Sequence, residues 1–515
     1  MKHIWSHLAF AKAAPTSLVP MFWHFYNFSN VAWCFSSIGS KTIGEKERRA
    51  MSASASNPTV AIFNVALIGH VNPTFPLVQE LVRRGCRVHY FLPKVPQIWD
   101  AARESGAIVE SYLPDVPELV LEECGTQVPP EDLRPEEQEA WARAVWPLAS
   151  TLLCGEHVIQ RCQDLGVSVV LYDPAAPHGL LVALKLGIPK ASLVTFPGIG
   201  SLGDIMAHQD RLEKLAGLRA PLGQAIEERF GVDLQVNLLT RRHYLTAVNF
   251  ITTCKDLVAP VPSEAAWAQE LSRFRFLPIG CLVSSTAPHI SSAPGKVPGN
   301  LRDDLPMKEL HEQLVAGRRI IFAALGTMAL NERWNMDLGR VSSGNLPTGT
   351  TGKQYCQHVW KALLCAMEDL GDEFYCVLCA GKQPDALDFL EKDSQLPQNV
   401  IVRASVPQVE MLNSYASVFL SHVGFNSLQE SLMAGVPLVA VPQAVDQPAN
   451  AMKVQNCSWG ISFLHPMETV TSSAMASALR SLACPSSPCR AAVQAARQHL
   501  EGGVERLAEK LLEMQ

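Results

Sequence analysis

Short runs of almost wholly apolar residues recur along this chain, each followed by a turn and then a stretch with helical spacing. Residues 60–68 form the first run. A Gly-His-Val-Asn-Pro turn follows at 69–73, then a helical stretch at 77–84 stopped by Gly85, and a second run at Arg87–Leu92. The rhythm returns as a strand at 167–172, a helix at 180–186 and a strand at 191–195. A strand that is apolar on both faces must be covered on both faces, which is the condition of a parallel sheet flanked by helices. Strand, helix, strand alternation then implies right-handed crossover units, so the fold class is α/β.

The rhythm is interrupted once. Residues 283–300 read Val-Ser-Ser-Thr-Ala-Pro-His-Ile-Ser-Ser-Ala-Pro-Gly-Lys-Val-Pro-Gly-Asn, the composition of a linker. Beyond it the strands restart at 319–325, 374–380, 400–402, 418–421 and 438–441. A length of 515 residues accommodates two such units at about 100–200 residues each. The reading is therefore an N-terminal Rossmann-like domain at 58–282, a linker at 283–304 and a C-terminal Rossmann-like domain at 305–515. Ligands of such sheets bind beyond the carboxyl ends of the strands, which here face a central cleft. A long loop rich in Gly, Ser and Thr at 331–352 invites a functional reading.

Residues 1–57 break from the pattern, with a mixed aromatic stretch, a charged run at 46–49 and Ser-Ala-Ser-Ala-Ser before Pro58. They read as a poorly ordered extension: a transit peptide, a membrane-touching arm or an overextended start upstream of Met51. No segment supplies the roughly 18 consecutive apolar residues of a membrane span. The net charge of -6 argues against a nucleic-acid partner, which needs a basic face. Fourteen cysteines at irregular spacing read as reduced thiols in a cytoplasmic compartment. The one Cys-x-x-Cys, Cys376 and Cys379, lies on a strand that turns its members to opposite faces, so it is not a metal pair.

The densest chemistry lies between His422 and Asn450. There a strand ends in a glycine turn and a helix begins near Asn426 or Ser427. A helix N-terminus offers unpaired N–H groups and partial positive charge, which suits a diphosphate. Gly424 lets the backbone approach closely, and His422 can donate to a phosphoryl oxygen. Ser427 and Glu430 also have the spacing of a capping box, with Gly435 ending the helix. An ordinary capped turn with a core histidine fits the same spacing.

This run, His-Val-Gly-Phe-Asn-Ser, then Glu430 and later Asp-Gln, resembles the C-terminal signature of family 1 glycosyltransferases, the UDP-glycosyltransferases of GT-B fold. The likeness extends from about Val60 to the C-terminus and is strongest to the bacterial macrolide glycosyltransferases. It implies two Rossmann-like domains facing a cleft, a UDP-sugar co-substrate and a small-molecule acceptor, with no cofactor and no metal. It implies that His422 and the Asn426–Ser427 amides hold the donor diphosphate, with Gly424 in the turn. Gly326 and Thr327 match the phosphate-contacting turn. Glu430 matches the carboxylate that binds the ribose hydroxyls, a role we prefer to the capping box. Val406 and Gln408, in Val-Pro-Gln, match the nucleotide-base region, and Asp446 and Gln447 match the pair that bonds the sugar hydroxyls. Ser405 departs from the pattern, since relatives usually place there a Trp that stacks on the base.

In the N-terminal half, His70 matches the family's catalytic histidine and Asp173 the carboxylate that orients it. Both follow apolar strands and open toward one cleft. The implied chemistry is inverting transfer of a hexosyl group, glucose, to a hydroxyl, with His70 as base. A nucleotide-sugar epimerase and a non-catalytic binder of nucleotide sugar or lipophile are the alternatives. Acceptor-pocket segments are expected within 114–152 and 198–244. Trp141, Trp146, Leu148, Ile205 and Met206 there suit a lipophilic secondary metabolite, and equally a helix packing on the core.

Overall fold

The computed structural model describes residues 57–112, 135–202, 221–234, 236, 243–260, 271, 273–291, 296–298, 301–339, 344–390 and 395–515. The expected extension, apart from Asn57, lies outside them, as do Ile205, Met206 and the side chains of Trp141 and Trp146.

Two parallel sheets form the frame. The first contains β1 (Thr59–Phe63), β2 (Arg87–Leu92), β3 (Ile108–Ser111), β4 (Val169–Tyr172), β5 (Lys190–Val194), β6 (Val248–Ile251) and β7 (Arg275–Pro278), in the order β3-β2-β1-β4-β5-β6-β7. The second contains β8 (Arg319–Ala324), β9 (Phe374–Cys379), β10 (Val400–Arg403), β11 (Ala416–Ser421), β12 (Leu438–Ala440) and β13 (Gly460–Ser462), in the order β10-β9-β8-β11-β12-β13. Each order reverses once, between β1 and β4 and between β8 and β11. Those reversals open a crevice at the strand ends.

Alternation along the strands divides the core. Val60 and Ile62 enter one cluster while Ala61 and Phe63 enter another across the sheet. In the second sheet Cys376 and Cys379 fall in opposite clusters and both are free thiols. Leu148 is fully buried in the first half's core, so it packs structurally. The 331–352 segment is also structural in its apolar residues, because Trp334, Leu338 and Leu346 plug the core of the second half.

Three expectations change. The first strand stops at Phe63, not Ile68, because the Asn64 side chain turns the backbone. Its Nδ2 donates to His70 O at 3.0 Å and its Oδ1 accepts from the Val65 N–H at 2.8 Å. Residues Ile68–Val71 then form one helical turn, and the next helix begins at Thr74, where Pro76 in its first turn removes no needed hydrogen bond. Finally, the C-terminal helix Gly503–Leu512 does not belong to the core of the second half. It sends Leu507, Ala508 and Leu511 into the first half's core beside Val78 and Leu81. Arg506 Nε donates to Ile279 O at 2.7 Å and secures the return crossing.

Candidate active site

His70 lies on the helical turn after β1, and Asp173 directly follows β4, the neighbouring strand across the first reversal. The register pairs Phe63 with Tyr172, and the Asp173 N–H donates to Phe63 O at 2.8 Å. This sets the carboxylate under the turn. His70 Nδ1 and Asp173 Oδ2 are 2.6 Å apart, with the Asp173 side chain 3% exposed and that of His70 20% exposed. The second carboxylate oxygen accepts from the Ala175 N–H at 2.8 Å. Burial works to raise the Asp173 carboxyl, but the His70 imidazole and the Ala175 N–H outweigh it and hold the group below its usual range. An ionised, fully bonded carboxylate thus fixes the imidazole through Nδ1 and leaves Nε2 on the opposite side of the ring.

The second reversal carries the other cluster. Gly326 follows β8 and His422 follows β11, adjacent strands in register at Ala324 and Ser421. A Cβ at Gly326 would lie 2.4 Å from His422 Nε2, and one at Gly424 would lie 2.6 Å from the same atom. Both positions must therefore be glycine for the imidazole to fit between them. Burial lowers the His422 pKa to about 4, against the pull of the Ala324 backbone and the Glu430 carboxylate. The ring is neutral near pH 7 and offers one N–H.

The helix Phe425–Ala434 starts with Gly424 as its N-cap and no side-chain cap. The capping box expected from Ser427 and Glu430 is therefore absent, because the helix begins three residues too early for it. Ser427 Oγ instead accepts from Gln408 Nε2 at 3.0 Å. Glu430 is buried and meets His289 Nε2 at 3.1 Å and the Gln408 amide. Burial raises its carboxyl, but His289 and Gln408 prevail and it stays below its ordinary value. Asn426 reaches across the cleft, its Nδ2 donating to Gly69 O at 2.8 Å. The helix Phe425–Ala434 and the His70 turn are thereby in direct contact.

Gly326, Thr327, Ser405, Val406 and Gln408 line one open pocket, joined by Ser291 of the linker. A second, narrower cleft lies between Asn72, His289, Asn426 and Glu430. Asp446 and Gln447 stand apart from both, at the start of the helix Gln447–Asn456. Asp446 accepts from Asn450 Nδ2 at 2.7 Å and from the Phe425 N–H, and burial keeps its carboxyl above the usual value. Gln447 Oε1 accepts from the N–H groups of Gln443 and Ala444 at 2.9 and 3.3 Å. The pair thus shapes its own turn with part of its polar capacity. The sequence reading missed Asn72, His289 and Ser291, which no motif marks.

Residues 371–507 match the family model described as UDP-glucoronosyl and UDP-glucosyl transferase, a span that includes the residues from Val406 to Gln447 that were expected to hold the donor. The chain is 24% identical over 423 residues to an NDP-glycosyltransferase of Bacillus subtilis, covering 82% of this chain and 88% of the relative. It is also 24% identical over 411 residues to the oleandomycin glycosyltransferase of Streptomyces antibioticus, covering 77% of each. The chain is a glycosyltransferase that resembles family 1. Solved structures give this glycosyltransferase a GT-B fold. The glycotransferase of kitacinnamycin aligns with a TM-score of 0.60 at 20% identity, over 89% of this chain and 99% of that one. The calicheamicin glycosyltransferase CalG4 aligns with a TM-score of 0.58 at 19% identity, over 89% and 98%. It is an enzyme that moves a sugar from a nucleotide sugar. Among the described residues, no helix is long and apolar enough to cross a membrane.

Proposed function

We propose that this glycosyltransferase moves glucose from UDP-glucose to a hydroxyl of a small lipophilic acceptor, with inversion at the anomeric carbon. His70 Nε2 takes the proton of the acceptor hydroxyl as its oxygen bonds to the anomeric carbon, and the bond from that carbon to the diphosphate breaks. Asp173 stabilises the imidazolium. The departing UDP carries the electron pair and is met by the first-turn N–H groups of Asn426 and Ser427, by Gly326 and Thr327, and by the neutral His422. These donors do the work for which other transferases use a metal. Glu430 takes the ribose hydroxyls, Val406 and Gln408 flank the base, and Asp446 with Gln447 is assigned the sugar hydroxyls, using the polar capacity their own turn leaves free. Free thiols at the described cysteines, Cys86 and Cys281 among them, suit a cytoplasmic enzyme.

One observation carries the reading. The half-buried pair at 2.6 Å sits one residue from the point where the donor helix touches Gly69. A base and a leaving-group site at that separation suit direct displacement. The full-length enzyme with UDP-glucose should convert members of a panel of phenols, sterols and macrolides to β-glucosides, releasing one UDP per product. An α-linked product removes the inverting mechanism. Isomerised donor without acceptor would make the chain an epimerase, and binding without turnover would make it a sensor.

A further inference from the structure

The linker is not a passive tether. Residues 288–291 lie in the cleft, clamped by Asn72, whose Oδ1 accepts from the Ile290 N–H at 3.1 Å and whose Nδ2 donates to Ile290 O at 3.0 Å. Asn72 is two residues beyond His70, so the turn that bears the base also holds the linker. Ile290 is buried in the first half's core. The neighbouring His289 is held between the two halves.

The bonds around this ring form two arms that both start at Gln408 and converge on Glu430. Gln408 N donates to Ser291 Oγ at 3.4 Å, a long bond, and Ser291 Oγ lies 3.3 Å from His289 Nδ1. His289 Nε2 faces Glu430 Oε1 at 3.1 Å, and Gln408 Nε2 closes the ring on Glu430 Oε2. Asn72 Nδ2 also lies 3.1 Å from His289 Nε2. Its amide orientation is already set by Ile290, so Asn72 and the Glu430 carboxylate compete for Nε2; the charged acceptor claims the Nε2 proton, and the Asn72 approach is then a donor–donor contact and not a bond. A neutral ring with its proton on Nε2 satisfies the carboxylate, and the charge-assisted bond is about twice as strong as a neutral one. Nδ1 is then bare and accepts from the Ser291 hydroxyl.

We propose that His289 is a positioning residue of the donor site, orienting the Glu430 carboxylate so that its two remaining lone-pair directions meet the vicinal hydroxyls of the nucleotide's ribose. The proposal rests on the reading of Glu430 as the ribose ligand. With Gln408 on one oxygen and His289 on the other, the carboxylate cannot rotate. An oriented carboxylate distinguishes a ribose from a 2′-deoxyribose, which can engage only one oxygen. Ser291, through Nδ1, sets the tautomer while itself lining the donor cavity.

The test is calorimetric titration of UDP and 2′-deoxy-UDP into the full-length enzyme and its variants. Wild type should prefer UDP. His289→Ala should bind UDP about tenfold more weakly, the value of a hydrogen bond to a charged group, and 2′-deoxy-UDP should lose less, so the ratio narrows. His289→Gln, which keeps an N–H donor, should recover most of the affinity, and melting temperatures should match wild type. Ser291→Ala leaves the carboxylate's direct partners intact and should weaken UDP by about two- to fivefold. If His289→Ala binds UDP as well as wild type, or more tightly, or loses both nucleotides equally, the ring does not position the carboxylate. Glu430→Gln separates the two claims. Undiminished UDP affinity there removes the ribose reading and the proposal together. A loss in Glu430→Gln with none in His289→Ala or Ser291→Ala removes the proposal alone.

Discussion

Replacing Asp173 by Asn changes one atom's polarity and almost nothing of its shape. Both carboxylate oxygens are committed, one to His70 Nδ1 at 2.6 Å and the other to the Ala175 N–H at 2.8 Å. If the amide keeps its oxygen on Ala175, its NH₂ faces Nδ1. The imidazole must then carry its proton on Nε2, the atom that has to be bare to receive the acceptor's proton. If the amide flips, two N–H groups confront each other in a buried site, at a cost of about 1–3 kcal/mol. Either way the charged partner of the imidazolium is lost. A hydrogen bond to a charged group is worth about 1.5–3 kcal/mol, or roughly 10–150-fold in rate. Loss of the correct tautomer brings the total into the range of a positioned base, about 10²–10⁴-fold. The measurement is UDP release at saturating donor for Asp173→Asn, His70→Ala and the double variant, with UDP affinity titrated in parallel. Affinity should hold, because the diphosphate groups lie on the other sheet. The double variant should be little slower than His70→Ala, since Asp173 acts through the histidine. An Asp173→Asn enzyme retaining more than about a tenth of the wild-type rate would refute the tautomer argument.

Three further outcomes follow from separate parts of the molecule. Gly326→Ala places a Cβ 2.4 Å from His422 Nε2 at a φ of +77°, so it should weaken UDP by about tenfold or more as well as lower the melting temperature. Gly166→Ala, at φ +63° with nothing within 4 Å, should cost only the backbone strain of about 1–2 kcal/mol and leave UDP titration unchanged; equal affinity losses in both would discount the cradle. Ser405→Trp should tighten UDP by up to about 1–3 kcal/mol through stacking, and calorimetry showing no gain would mean that the base does not lie against this wall. Arg83, with Arg84, holds the Glu80 carboxyl at about 2 against 4.5 unfolded. Its stabilisation is therefore full above the unfolded value and lost as pH falls through the folded one. Glu80→Gln should cost about 1–2 kcal/mol at pH 7 after allowance for solvent screening, and denaturant titrations should show the gap closing below about pH 4.5.

The strands read from sequence are mostly covered on both faces. Arg87–Leu92 is buried at every position after the first and has the expected bounds, and Phe374–Cys379 differs from its expected run by one residue. Ile108–Ser111 and Gly460–Ser462 passed unnoticed, because they lie at sheet edges with mostly half-exposed side chains and form no apolar run. The first strand was overextended for a different reason. Residues 65–68 are apolar, but the polar side chain of Asn64 binds its own backbone surroundings and ends the ladder. Apolar content alone cannot register that event.

The candidate site divides along the same line. His70, Asp173, Gly326 and His422 all sit just beyond strand ends on either side of a sheet reversal, so local pattern and topology together locate them. Ser427 and Glu430 show where local pattern fails. Their spacing fits a capping box, yet Gly424 starts the helix three residues earlier, which moves Glu430 from the cap into the second turn and frees its carboxylate. What then claims it is His289, 141 residues away in sequence and embedded in a stretch whose Pro, Gly and Ser content reads as a tether. Composition reports how freely a segment can bend. It does not report what the segment meets once two halves close around it. Here the bend is what delivers an imidazole to a buried carboxylate, and that partnership exists only after the Asn72 turn and the donor helix have been brought together.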